Sequence, residues 1–298
     1  MKLSVVIIAK NAAATLARTL ESVKFADEIV VVDMMSNDET KSIARKYTDK
    51  VFDTPDVGYV EPARNFSLDK ASGEWVLIVD ADEVIPDTLR DHLLLLIEAN
   101  SDVACFSIAR KNMIFGDWVQ TAGWWPDYQP RLFRRGKVSW LDAIHSKPAI
   151  IGKSEKILDD AELAIEHHNY ESLSQFVQRM DRYTRIATQT PAQKSQAELE
   201  HPIVVFRREF LQRLFALRGI DGGYRGTLLA LLQGFSEVVQ AAKFWEIQHN
   251  DAFGNKTKTL EELHELRAQL AYWVADEQLQ TARGAQILVW KIRRKLRI

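Results

Sequence analysis

Asp80 and Asp82 are the residues whose type and spacing point first to chemistry. They close the run Glu74-Trp75-Val76-Leu77-Ile78-Val79-Asp80-Ala81-Asp82-Glu83. An apolar run of strand length is expected to be buried on both faces. The end of such a strand is where open α/β sheets bind ligands. Two carboxylates spaced i, i+2 are costly there unless something cationic offsets them. A divalent cation, held by oxygen ligands and a substrate diphosphate, would do so. Taken alone, the triplet also reads as a strand followed by an ordinary acidic loop.

Glycine usage narrows how a diphosphate would be held. No glycine precedes Gly58, and the first strand, Leu3–Ala9, runs into Lys10-Asn11-Ala12-Ala13. Dinucleotide-binding folds and P-loops need a glycine-rich turn there, so that the backbone can approach the phosphates. A cation at Asp80–Asp82 would have to serve instead. Asp33 ends the second strand and is placed to accept hydrogen bonds from a base or ribose. Its other reading is a helix-capping acid, a need that Ser36 and Asp38 already meet.

The elements that position these acids alternate. Strands are expected at Leu3–Ala9, Glu28–Asp33, Val51-Phe52, Trp75–Asp80 and Val103–Ile108. Between them lie helices at Ala12–Lys24, from a capping box Ser36-Asn37-Asp38-Glu39 to about Tyr47, from Pro62 to Gly73, and from Pro86 to near Asn100. This order predicts a mostly parallel sheet with helices on both sides.

Composition fits one large core or two smaller ones, since 46% of the 298 residues are hydrophobic and 27% charged. The net charge of −2 leaves no global basic field for nucleic acid. Cys105 is the single cysteine, which excludes an internal disulfide and a cysteine metal cluster, and it reads as a small core residue in a reducing, cytoplasmic setting. Leu3–Ile8 is short for a signal-peptide core, and no stretch reads as a transmembrane helix.

Six blocks in order carry a resemblance: Leu3–Asn11 (LSVVIIAKN), Ile29–Thr40 (IVVVDMMSNDET), Pro62–Asn65 (PARN), Gly73–Glu83 (GEWVLIVDADE), Trp125–Arg135 (WPDYQPRLFRR) and Ile144-His145. The chain resembles a family-2 glycosyltransferase of the GT-A fold, and is similar to the bacterial lipopolysaccharide-core glucosyltransferase branch. Weaker likeness runs through His167–Tyr170 and Gly219–Trp245. The resemblance implies transfer of a sugar from a nucleotide donor, usually a UDP-sugar, to an acceptor hydroxyl of a saccharide or glycolipid, with inversion. It implies that Asp33 meets the uracil or ribose, Arg64 the base and diphosphate, Asp80 the ribose side and Asp82 a Mg²⁺ or Mn²⁺ ion. Lys10 and Ala81 complete the candidate nucleotide-binding set. Two departures stand out: Met35-Ser36 where relatives show Gly-Ser, and His145-Ser146 where they often show His-Glu.

The reaction constrains the remaining roles. The departing diphosphate gains negative charge, which a divalent ion and a cationic side chain can stabilise. Arg64, Arg131 and Arg134 are candidates for the latter. The acceptor hydroxyl must lose a proton to a positioned carboxylate or histidine. Asp127, in the segment Gly123-Trp124-Trp125-Pro126-Asp127-Tyr128, is the first choice, and Asp142 the second. Trp124, Trp125 and Tyr128 either stack on sugar faces or simply pack, and Arg131 lies beside them in the candidate substrate site. His145 reads as metal ligand, base or structural histidine.

The second half reads as helical at Ser172–Thr188, Val204–Leu217, Gly226–His249 and Leu260–Ile298, with a loop or hinge at Thr190–His201. Residues 1–170 are expected to form the catalytic domain, and 171–298 a helical region for acceptor or membrane contact. The segment Val289–Ile298 holds five cations and no acid, with Leu288, Ile292 and Leu296 on one helical face. That pattern suits peripheral docking on an anionic membrane with Trp290 at the interface, or else an ordinary basic helix end. Two other function classes compete. A sugar-1-phosphate nucleotidyltransferase would need the missing glycine-rich loop. A non-catalytic nucleotide-sugar-binding module would not need Asp33, Arg64, Asp80, Asp82 and Asp127 together.

Overall fold

In the computed structural model, residues 2–57, 60–99, 101–140, 148–189, 200–248 and 255–298 are described. The chain divides into two compact units, one of residues 1–120 with 124–173 and one of residues 121–123 with 174–298.

The first unit is built on a ten-stranded sheet in the order β3-β2-β1-β4-β8-β6-β12-β5, with β7 and β11 also paired to β6. Its strands are β1 (Leu3–Ala9), β2 (Glu28–Asp33), β3 (Val51–Asp53), β4 (Trp75–Asp80), β5 (Glu83–Val84), β6 (Val103–Ile114), β7 (Asp117–Trp118), β8 (Asp127–Arg134), β11 (Lys153–Lys156) and β12 (Ile165–Tyr170). A separate pair joins β9 (Val138–Ser139) to β10 (Ala149–Ile150). Strands β3, β2, β1 and β4 are mutually parallel, and β8 is inserted antiparallel between β4 and β6. This is the α/β, mostly parallel GT-A arrangement that the sequence predicts.

Period-two alternation sends the central strands into two cores. Val5, Ile7, Leu77 and Val79 pack with Leu16 and Leu20 of α1 (Leu16–Ser22) and with Leu89 and Leu93 of α4 (Asp87–Glu98). Val6, Ile8, Val76 and Ile78 pack on the other face with Ala63 of α3 (Glu61–Lys70). Burial on both faces explains why these strands read as continuous apolar runs.

Several local expectations are corrected. The first helix starts at Leu16 rather than Ala12. The expected capping box does not cap, because α2 (Thr40–Ala44) begins after Glu39 without a side-chain cap. Ser36, Asp38 and Thr40 instead accept the backbone N–H groups of Asn11, Ala13 and Ala12 in turn, at 2.8, 3.1 and 2.7 Å. The N–H groups that a phosphate loop would offer are thus consumed by side chains. Met35 adopts φ +54°, the left-handed backbone region that glycine enters without steric cost.

Strand β6 runs six residues beyond its expected end, as far as Ile114. Its pairing with β8 slips between Phe106 and Ser107, which face Leu132 and Pro130. Arg131 is therefore the extra residue of a β-bulge, beside a proline that has no N–H to lose.

The second unit is helical: α5 (Leu173–Gln189), α6 (Pro202–Leu211), α7 (Gly223–Gln248), α8 (Lys256–Thr281) and α9 (Ala285–Leu296). The expected Leu260–Ile298 helix is two, broken at Gly284, where φ is +56°. Phe215 stacks on Trp273 in its core at 5.5 Å between centroids. The expected loop at Thr190–His201 falls almost wholly outside the described residues.

Candidate active site

Near the ends of β2 and β4, buried and half-buried acids meet three arginines, Arg64, Arg110 and Arg131. Asp33 is only 2% exposed. Its Oδ2 accepts from the Ser36 N–H at 2.9 Å, while Oδ1 is buried without a hydrogen-bond partner among the described residues. A buried, unpaired carboxylate oxygen is expensive unless a ligand donor meets it. Lys10 Nζ donates to the Met35 carbonyl at 2.6 Å and pairs with Asp56 at 3.2 Å, so it braces the neighbouring loop.

Asp80 and Glu83 share one cation. Arg131 Nη2 lies 2.5 Å from each carboxylate, and Arg131 is itself buried. Glu83 Oε2 accepts the Asp80 N–H at 2.9 Å. Arg64 and Arg110 approach Asp80 at 4.0 Å each. Burial works against ionisation of Asp80, but Arg131, then Arg64 and Arg110, outweigh it and hold its carboxyl far below the usual range. Burial pushes the Glu83 carboxyl up, aided by the Asp80 charge. Arg131 is therefore a buried counter-ion rather than a side chain presented to substrate. Arg134 is not part of the site: it donates to the carbonyls of Ser101 and Val103 and covers the Trp75 ring at the opposite end of β8.

Asp82 points to a histidine the sequence reading missed. His167 Nε2 is 3.6 Å from Asp82 Oδ1. Asn112 fixes the imidazole. Its amide nitrogen donates to the Trp124 carbonyl at 3.0 Å and to Asp127 at 3.2 Å, so its oxygen must face His167 Nδ1, 2.7 Å away. Nδ1 then donates to Asn112, which leaves Nε2 directed at Asp82. That donor set suits a divalent ion completed by phosphate oxygens, although no cluster of three or more such groups occurs among the described residues. The Ala81 carbonyl accepts from Thr19 at 3.0 Å, which holds the acidic turn.

Asp127 is gripped by Arg110, whose Nε and Nη2 reach Oδ2 at 2.8 and 2.5 Å. Gln129 donates to Oδ1 at 2.8 Å. Burial opposes its charge, but Arg110 and the two amides win, and its carboxyl lies below the usual range. Trp124 meets Tyr170 edge-on, and Trp125 meets Trp118 likewise. Tyr128 gives its hydroxyl to the Ile157 carbonyl at 2.9 Å and its ring to Lys156. Asp142 and His145 lie outside the described residues. Arg110, Asn112 and His167 were missed because each sits inside a strand, where only pairing reveals its neighbours. The polar pair Arg110 and Asn112, spaced i, i+2 on one otherwise apolar face of β6, was the available signal.

The profile of glycosyl transferase family 2 matches residues 4–154, just over half of the chain. The chain belongs to glycosyl transferase family 2. It is 41% identical over 93 residues to an uncharacterized glycosyltransferase of Rickettsia felis, covering 31% of this chain and 32% of that one. It is 31% identical over 142 residues to the lipopolysaccharide core biosynthesis glycosyltransferase LpsC of Rhizobium meliloti, covering 46% and 52%. The chain thus spans about a third to a half of the length of these relatives. A crystal structure of Staphylococcus aureus TarS 1–349 in complex with UDP is similar at 18% identity and TM-score 0.42, over 84% of this chain and 92% of that one.

Proposed function

We propose that this family-2 chain is an inverting glycosyltransferase. It moves a hexose from a UDP-sugar to a saccharide or glycolipid hydroxyl in the synthesis of a bacterial surface polysaccharide, such as a lipopolysaccharide core. The observation that carries this reading is the unpaired Oδ1 of buried Asp33 at the strand ends that also bear Asp80 and Asp82. A uracil N–H or ribose hydroxyl would satisfy it. The likeness to LpsC, a lipopolysaccharide core transferase by name, supports the acceptor class. Residues 1–170 would carry the chemistry, and 171–298 would serve acceptor or membrane contact.

The acceptor oxygen attacks the anomeric carbon as the bond from that carbon to phosphate breaks. Asp127 takes the hydroxyl proton. Its depressed pKa keeps it ionised at neutral pH, and the hydroxyl becomes acidic enough to release its proton as the new bond forms. Arg64 and Arg110, which ring Asp80, would meet charge developing on the departing diphosphate. Asp82 and His167 would hold a divalent ion, which when bound stabilises the same charge.

Incubation with UDP-hexoses and lipopolysaccharide-core acceptors, with Mn²⁺ or Mg²⁺ and then EDTA, should release UDP in the first case only. Asp82→Asn should abolish release while leaving the melting temperature unchanged. Full turnover in EDTA or in Asp82→Asn would remove the metal role. Pyrophosphate release from a nucleoside triphosphate and a sugar phosphate would favour the nucleotidyltransferase alternative.

A further inference from the structure

Helix α9 has a face that the transfer chemistry does not use. None of its residues is buried. Its two least exposed residues, Trp290 and Arg294, are spaced i, i+4 and mark the side turned to α8. Arg294 confirms that orientation by pairing with Asp276 of α8 at 2.6 Å. At 100° per residue the opposite side carries Leu288, Val289, Ile292 and Leu296. These are 64, 50, 48 and 59% exposed. A helix stabilised only by packing on its own unit would turn this stripe inward and its cations outward. Here the aliphatic stripe faces solvent.

Cations border the stripe on both sides, with Lys291 and Lys295 along one edge and Arg293 along the other. None of the three has a carboxylate within ion-pair distance among the described residues. Arg293 covers the Trp290 ring at 5.0 Å, so the indole serves as an internal brace rather than the interfacial residue expected from sequence. The helix contains no acid.

We infer that α9 docks on the surface of an anionic lipid bilayer. The aliphatic stripe enters the boundary between headgroups and acyl chains, while Lys291, Arg293 and Lys295 meet lipid phosphates. Charge decides against a second copy as occupant. Two-fold pairing across the stripe would set these cations against their own kind with no acid to offset them. No described helix is long and apolar enough to cross a membrane, so this contact lies along the surface.

Co-sedimentation of the full chain with vesicles tests this. Phosphatidylglycerol mixed with phosphatidylcholine should pellet the protein at low salt, and phosphatidylcholine alone should not. Ile292→Glu with Leu296→Glu should abolish pelleting. Replacing Lys291, Arg293 and Lys295 together by Gln should weaken it by about 100-fold, at about fivefold per cation. Melting temperature and UDP affinity should hold in both variants, because every altered side chain is exposed and outside the site. Equal pelleting on both lipids, pelleting of either variant like the parent, or no pelleting at low salt would overturn the inference. So would a concentration-dependent dimer that Leu296→Glu dissolves, which would assign the stripe to self-association.

Discussion

Glu28 and Asp33 stand at the two ends of one strand, both buried, and the sheet treats them in opposite ways. Glu28 is saturated: Ser4 Oγ, Lys50 Nζ, and the backbone and hydroxyl of Ser72 all donate to it, the last two at 2.8 and 2.7 Å. Gly73 is what allows this closeness, since a Cβ there would lie 2.7 Å from the Ser4 backbone nitrogen. Asp33 receives one backbone N–H and keeps an oxygen unpaired. A filled acid stabilises the fold. An acid left short of donors at a strand end is stabilised only when something binds. The Asp80–Glu83–Arg131 group lies between these extremes, internally paired yet ringed by two further arginines.

The largest expected effect tests that intermediate group. Arg131→Met leaves the buried Glu83 and the half-buried Asp80 without their shared cation and should cost about 3–5 kcal/mol in urea unfolding. Arg131→Lys should recover part of the loss. A cost under about 1 kcal/mol, ordinary for a surface pair, would mean that Arg131 is not the support of the acidic turn.

Asp127→Asn comes next, with turnover expected to fall by about 10²-fold or more while UDP affinity stays the same. Near-parental turnover, with Asp142→Asn inactive, would transfer the base role. Asp33→Asn should weaken UDP binding in calorimetry by about 1.5–3 kcal/mol, the scale of a hydrogen bond to a charged group, with little change in melting. Unchanged UDP affinity would break the contrast with Glu28.

Glu28→Gln should do the reverse, lowering stability by about 1–3 kcal/mol with no effect on UDP affinity. Its pH signature has a definite sign. Burial raises the Glu28 carboxyl, but hydrogen bonds from Lys50, Ser4 and Ser72 outweigh it and bring it from 4.5 to about 2. The native state therefore favours the ionised form. Its contribution is complete above pH 4.5 and is lost as pH falls toward 2. Thermal melts of parent and Glu28→Gln should converge across that window.

What sequence made legible was whatever is local. The runs Leu3–Ala9 and Trp75–Asp80 announce buried parallel strands, and Asp33, Asp80 and Asp82 announce their own positions at strand ends. Asp127 could be chosen as a candidate, but its grip by Arg110 could not be foreseen. That contact depends on the register of β6 against β8, which is set by packing rather than by either segment. Arg134 misled for the same reason: three residues along the strand from Arg131, it lies at the other end of the sheet. The Ser36–Glu39 signature failed as a capping box because Ser36 accepts from the backbone of another loop, and Asp38 divides its oxygens between that loop and the Thr40 N–H.

The bulge at Arg131 makes β8 change step. Beyond it, Leu132 shares a face with Phe106 and Phe133 with Cys105; before it, Gln129 lies with Ile108 and Asp127 with Arg110. Unbroken alternation would put Asp127 on the face of Phe133, across the sheet from Arg110. One strand thus serves as core at one end and as site at the other only because it holds one residue too many. It follows that, outside Asp127 and Arg131, this stretch should accept substitution more readily than any change of length. Excising a single residue between Pro130 and Leu132 would exchange the two sides of everything upstream, and would silence the protein more completely than most replacements of the residues it carries.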